Sequence, residues 1–144
     1  MFSKSCEYGI RAVIYIASQS LEHKRVKIRE IAQMTNSPEA FTAKIVGALS
    51  KHNIVLSQKG PTGGLEIDIE RMKNINISQI VLAIDGDSVY NGCGLGMSQC
   101  NAENPCPMHE KFAIVRAELK QMLENTSIYE LATNLKNGKS TLLR

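Results

Sequence analysis

The strongest constraint on this chain is a four-residue interruption, Thr35-Asn36-Ser37-Pro38, set between two short stretches of helical periodicity. Before it, Ile28, Ile31 and Ala32 recur at helical spacing, which predicts a short helix over about 28–34. After it, Phe41, Ile45 and Leu49 fall at i, i+4 and i+8, which predicts a helix over about 38–52. Asn and Ser suit turns and caps, and proline suits the first turn of a helix, so the interruption stops one helix and starts the next. Two helices of this size joined by a turn of three or four residues carry the helix-turn-helix signature.

The flanking sequence extends this unit. Tyr8, Ala12 and Ile16, with Ile10, Val13 and Ala17, form a broad apolar face on a helix expected over about 5–20. A polar loop follows at 21–25. Residues 54–58 are β-capable, Gly60-Pro61-Thr62-Gly63-Gly64 must turn, and Leu65 to Ile69 alternates apolar and polar with period two. That is a hairpin, placed where a wing belongs. A short helix is expected over 78–85, and from Gly86 to Pro105 periodicity is lost. A loop of about twenty residues is uncommon in a small domain and usually has a functional reason. Pro107 can open a long helix over about 108–125 with Phe112, Val115, Leu119, Met122 and Leu123 as its apolar stripe. Ser127 and Glu130 fit a capping box for a last helix to about 135, and the tail from Asn137 is expected to fray. The fold class is therefore mainly α: a winged helix-turn-helix over residues 1–70, then a cysteine loop and C-terminal helices over 71–144.

Composition agrees with one small helical architecture. In 144 residues, 43% are hydrophobic and 5% aromatic, with no tryptophan, so the core must be aliphatic. No apolar run approaches the roughly 20 residues needed to cross a bilayer, and the N-terminus lacks a signal-peptide layout, which predicts a cytoplasmic protein without a membrane partner. Charge is uneven. Residues 1–64 hold nine Lys/Arg and four Asp/Glu, hence +5, whereas 65–144 hold eight and ten, hence −2. The basic part is the candidate for a polyanionic partner.

That partner is expected to be double-stranded DNA. The second helix of a helix-turn-helix enters the major groove, where side chains near its N-terminal end reach base edges. Ser37, Thr42, Ala43 and Lys44 are the expected groove-facing positions; Lys44 can donate to guanine O6 and N7, and Ala43 can touch a thymine methyl. At the wing tip, Lys59, Gly60, Thr62 and Gly63 can approach the backbone or the minor groove. The bland alternative is a structural or protein-binding winged helix whose Lys44 is simply solvated.

The loop holds Cys93, Cys100 and Cys106, with six and five residues between them, and His109 follows after two more. Three thiolates and an imidazole one turn into a helix can converge on one centre. Iron–sulfur clusters are held mainly by thiolates, with histidine replacing cysteine in some. A Cys₃His zinc site favours tighter spacing. Thiol redox sensing is a third reading, and unligated cysteines a fourth. Cys6 aligns with Ile10 and Val13 and reads as a buried thiol, while Glu7 can pair with Arg11 at i+4 or reach a neighbouring subunit. His23 and His52 read as solvent-facing.

Tyr8-Gly9-Ile10-Arg11-Ala12, Ile28 to Ala32, Lys59-Gly60-Pro61-Thr62-Gly63-Gly64 and the three-cysteine loop together resemble the IscR and NsrR type of bacterial iron–sulfur transcription regulators over nearly the whole chain. The resemblance implies a homodimer built on the long helix near 108–125, with one winged head per subunit reading a pseudo-palindromic site. It also implies an iron–sulfur cluster on Cys93, Cys100 and Cys106, [2Fe–2S] in preference to [4Fe–4S]. For the fourth ligand it offers a histidine at the place of His109, or an acidic residue at the place of Glu7 from the other subunit. The chain departs from the family pattern in a longer first cysteine interval and in Thr62 and Leu65 of the wing.

Overall fold

The first helix, α1 (Lys4–Ser20), starts where the Ser3 hydroxyl accepts the Cys6 N–H at 3.0 Å, and its inward face is a run of small and aliphatic side chains. Cys6, Ala12, Val13, Ile16 and Ala17 are buried, with Tyr8 and Ile10 packed partly against the same core. Small residues on this face let other elements come close. Helix α1 touches α2 (Ile28–Thr35), α3 (Glu39–Lys51), α4 (Ile69–Met72), α5 (Ile77–Asp85) and α8 (Ile128–Lys136). This computed structural model describes residues 1–143; Arg144, the end of the expected second part, lies outside the described residues.

Helices α2 and α3 follow the expected pattern. Asn36, with φ of 53°, closes α2 in the left-handed conformation, which Asn tolerates better than most residues. The hydroxyls of Thr35, Ser37 and Thr42 then bridge the turn, at 2.9 Å from Thr35 to Ser37 and 2.6 Å from Ser37 to Thr42. Ile45, Val46 and Leu49 bury the inner face of α3, and Phe41 is half-buried with its ring edge-on to Tyr8 at 5.7 Å.

The wing is shorter than its sequence suggests. Strands β1 (Leu56–Gln58) and β2 (Gly64–Glu66) pair antiparallel with Ser57 opposite Leu65. Val26 bridges Leu65 from the other side, and the Ile67 N–H donates to Ser20 Oγ at 3.0 Å. The expected second strand stops before Ile69 because Asp68 accepts the Glu70 N–H at 2.9 Å and begins α4 instead. Asp is a strong helix N-cap, and here the cap overrides the period-two pattern.

In the second half, Asn76 and Gln79 form a capping box at the start of α5. The Ile128 N–H donates to Ile75 O and the Ile77 N–H to Thr126 O, which fastens the start of α8 to the start of α5. A short helix, α6 (Ser88–Asn91), interrupts the segment expected to be aperiodic; the Asn91 amide donates to Asp87 Oδ2 at 2.7 Å and steadies it. The long helix α7 (His109–Glu124) splits its expected stripe. Leu123 is buried, Phe112 and Leu119 are half-buried, and Val115 and Met122 remain 56% and 54% exposed beside Ile114 at 64%. Beyond Asn137 the chain turns back, the Lys139 N–H donating to Asn134 O at 2.9 Å.

One core draws from both sides of residue 70, with Ile16, Ile31 and Leu49 joined to Ile80, Leu123 and Ile128. Among the described residues no helix is long and apolar enough to cross a membrane. Leu49 is fully buried on α3, so Leu49→Ala is expected to cost about 2–5 kcal/mol, read as a lowered midpoint in urea unfolding with little change in slope.

Candidate nucleic-acid interface and candidate metal centre

Helix α3 turns Ala43, Lys44 and Gly47 outward, and Lys59, Gly60 and Thr62 are exposed at the wing. A groove between them is lined by Lys27, Ala43, Gly47, Ser57, Gln58 and Lys59. Among the described residues the ion pairs involve Lys4, Lys24, Arg25 and Lys120, so neither Lys44 nor Lys59 is neutralised by a carboxylate of its own chain. Cations left free in this way are available to phosphates or base edges.

Two expected contact residues, Thr42 and Gly63, are buried, and a third, Ser37, is half-buried. Thr42 is 2% exposed, and its hydroxyl is spent on Ser37 Oγ and on Pro38 O at 3.0 Å, so it locks the turn instead of facing a groove. The residue follows Phe41 and precedes Ile45, and the buried face is wide enough to include it. Ser37 is half-buried in the same hydroxyl chain. Gly63 is buried within the hairpin: its N–H donates to Gly60 O at 3.0 Å, and a Cβ there would overlap the Gln58 carbonyl. Its role is to let the wing turn, and Thr62 occupies the outer position.

Sequence reasoning missed Arg25. Its Nε pairs with Glu66 at 3.0 Å and its Nη1 donates to Thr62 O at 3.4 Å, so it braces the wing from the loop after α1. Nothing local marks this role, because the partners are 41 and 37 residues away.

The cysteine loop runs from α6 to α7. Gly94 lies against the Phe112 ring of α7, so closely that a Cβ would overlap it. The His109 N–H donates to Cys106 O at 3.0 Å, which starts α7 next to the last cysteine. Cys93, Cys100, Cys106 and His109 consequently line one small concavity together with Met97 and Gln99. Cys100 Sγ is 3.4 Å from His109 Nδ1, and the Arg116 guanidinium donates to Cys100 Sγ at 3.3 Å. The Cys93 thiol is held below its ordinary pKa first by the Leu95 N–H and then by the Met97 N–H, against an opposing effect of desolvation, with lesser lowering contributions from Cys106 and the Arg116 charge.

This donor set suits a thiolate-bound group. The backbone N–H groups aimed at the Cys93 sulfur favour its deprotonated form, which is the form that ligates. Among the described residues, no three His, Cys, Asp or Glu side chains close on the position of a single metal ion.

The other cysteine is different in kind. Cys6 is fully buried, and its pKa is pushed up to about 12 by desolvation and then by the neighbouring Asp85 carboxylate. Glu7 pairs with Lys4 at 3.0 Å, not with Arg11, whose guanidinium lies over the Tyr8 ring at 4.7 Å. Among the described residues no hydrogen bond or ion pair joins Glu7 to the cysteine loop. His52 Nδ1 lies 3.0 Å from Ala48 O, and His23 is exposed in a left-handed turn with φ of 58°.

Comparisons with known proteins give the family and the fold. The Rrf2 family, described as iron-dependent transcriptional regulators, matches residues 2–134. A protein of Aquifex aeolicus described as an HTH-type transcriptional regulator is 32% identical over 133 residues, covering 91% of this chain and 90% of that protein. Among solved structures, CymR, the global cysteine regulator of B. subtilis, superposes with a TM-score of 0.75 at 21% identity, covering 92% of this chain and 96% of that one. IscR of T. potens superposes with a TM-score of 0.74 at 15% identity, covering 98% and 92%. Those two likenesses speak to the fold alone, a winged-helix architecture.

The seating of Gly94 under Phe112 generates a prediction about the thiols. Gly94→Ala is expected to lift the loop from α7 and speed alkylation of Cys93, Cys100 and Cys106 by iodoacetamide in the metal-free protein, followed by mass spectrometry. Cys6 should stay unmodified until the protein unfolds, and its early labelling in the unsubstituted protein would contradict the buried placement.

Proposed function

The chain belongs to the Rrf2 family of transcriptional regulators, and from that premise we propose that it is a homodimeric regulator whose hold on double-stranded DNA is controlled by an iron–sulfur cluster. Residues 1–70 read DNA, with Ala43 and Lys44 facing bases, Ser37 at the helix entry, and Lys59, Gly60 and Thr62 beside the phosphates. Residues 71–144 carry the cluster loop and the dimer helix. Cys93, Cys100, Cys106 and His109 are the assigned ligands, and [2Fe–2S] is the favoured cluster. Once bound, such a group supplies a one-electron redox centre that oxidant, nitric oxide or iron shortage can alter or remove.

The observation that carries this reading is the convergence of three thiols and His109 on one concavity, with Cys100 Sγ 3.4 Å from the imidazole. It favours His109 over Glu7 as fourth ligand, because Glu7 lies on α1 and is engaged with Lys4. Exposed Ile114, Val115 and Met122 on α7 support a second copy as the partner, since burying them removes a large apolar surface from water. A pseudo-palindromic site follows from two-fold symmetry of such a dimer.

A second reading has its own support. The low pKa of Cys93 and the likeness to a cysteine regulator suit sensing by thiol oxidation without a cluster. The two readings part at one measurement. Purified without oxygen, the protein should be coloured and contain iron and acid-labile sulfide; a colourless protein without sulfide overturns the cluster reading, and one zinc per chain replaces it with a zinc centre. His109→Ala should weaken cluster retention while Glu7→Ala does not; the reverse result would move the fourth ligand to Glu7.

The DNA assignment is tested separately. Lys44→Ala should cost about 1–3 kcal/mol at the specific site and less on random DNA, whereas Lys59→Ala should weaken both alike and reduce the salt slope by about one, read by fluorescence anisotropy across a salt series. Equal losses for Lys44→Ala would make that residue a phosphate contact only.

A further inference from the structure

Arg116 stands on α7 seven residues after His109 and four after Phe112, on the helix face turned to the cysteine loop. Its guanidinium donates to Cys100 Sγ at 3.3 Å. Ordinary explanations for an arginine on a helix do not account for this placement. An ion pair along the helix requires an acid three or four residues away, and those positions hold Phe112, Ala113, Leu119 and Lys120. Among the described residues no carboxylate pairs with it, whereas nearby Lys120 does pair with Glu124 at 4.0 Å. The side chain is half-buried, so it is not simply extended into solvent.

Arginine presents a rigid planar fork of donors and keeps its charge at any ordinary pH. Directed at a ligand sulfur, it withdraws electron density from that sulfur and places a fixed positive charge beside the group the sulfur holds. Hydrogen bonds to ligand sulfurs and local net charge are the levers that set a cluster's reduction potential, and groups that orient ligands also govern retention. Reduction adds one electron, and so one negative charge, to the centre. A nearby cation stabilises that product more than the oxidised form.

We propose that Arg116 is the positioning residue of the cysteine centre: through its hydrogen bond to Cys100 it raises the reduction potential of the bound cluster and slows the cluster's loss. This rests on the cluster reading given above. The electron comes from an external low-potential donor, and no proton or bond change at Arg116 is required. Because Arg116 acts through Cys100, its removal should leave the ligand set intact while changing the properties of what it holds.

The test uses the full-length holoprotein with Arg116→Gln and Arg116→Lys. Potential is read by anaerobic titration with dithionite, and retention by the rate at which iron passes to a chelator. Arg116→Gln is expected to lower the potential and to speed iron loss about tenfold, while Arg116→Lys, which keeps the charge, should lie closer to the unsubstituted protein. Thermal melting of the metal-free forms should be alike, which separates this role from a structural one. Arg116→Met, neutral and a good helix former, repeats the test if Arg116→Gln does not fold. Unchanged potential and unchanged iron loss in an iron- and sulfide-containing protein overturn the inference alone. Absence of iron and sulfide from the unsubstituted protein overturns the cluster reading, and the inference with it.

Discussion

At Gly9 the first helix has no side chain, and the space a Cβ would need is taken by Ile84 Cδ1, with Ile45 Cγ2 3.3 Å away. This close approach lets α5 lie against α1 and α3 at once, instead of standing off by the width of a side chain. The end of α5 is then held a second time: the Ser3 N–H donates to Asp85 Oδ2 at 3.0 Å, and the Ser3 hydroxyl bonds the other oxygen of the same carboxylate. Ser3 also caps α1. The start of the helix that supports the DNA-reading head and the last residue of α5 are therefore one hydrogen-bonded unit, and the segment leading to Cys93 leaves directly from it.

The far end of that segment is anchored to α7 by Gly94 under Phe112 and by the Cys106–His109 turn. Helix α7 packs on α5 and α6. A loop whose far anchor, α7, packs on α5, which itself lies against α1 and α3, has a physical means of influencing the winged head. Under the proposed function, cluster binding orders sulfur-bearing residues between two anchors, and it shifts DNA affinity only by as much as the cluster prefers one arrangement of those anchors over another. The same coupling must act in reverse, so DNA should alter cluster affinity by an equal factor. Rigid packing at Gly9 favours transmission, because an interface without slack moves as a body.

Much of the fold was legible because the signals were local. Ile28, Ile31 and Ala32, then Phe41, Ile45 and Leu49, defined α2 and α3 by spacing, and Gly60 to Gly64 could only turn. The three cysteines and His109 were legible by crowding in one loop. Other features depended on distant partners. Thr42 was read as outward because it lies off the Phe41, Ile45 and Leu49 row near the start of its helix, yet its hydroxyl closes the turn with Ser37 and Pro38. Asp68 ended a strand that alternation alone would have continued. Arg25 and Arg116 gave no sequence signal, since an arginine's importance here lies in which atoms its fork meets: Glu66 and Thr62 in one case, a thiol in the other.

The long helix shows the same limit most clearly, and the way it resolves bears on function. Phe112, Val115, Leu119, Met122 and Leu123 formed one stripe in sequence, but the chain uses only part of it for its own core. His109, Phe112, Arg116, Leu119 and Leu123 share the face turned to the loop and core, while Val115 and Met122, seven residues apart, lie beside it and remain exposed. Sequence periodicity cannot distinguish a surface buried within one chain from a surface reserved for a second, since both exclude water by the same physics. A helix is only about 10–12 Å across with its side chains, so a subunit contact on Val115 and Met122 would sit within one helix diameter of the ligand face. In the proposed homodimer, any rotation of α7 that adjusts His109 and Arg116 to the cluster also turns the subunit contact. The spacing of two DNA-reading heads then depends on the state of the cysteine centre without a dedicated relay between them.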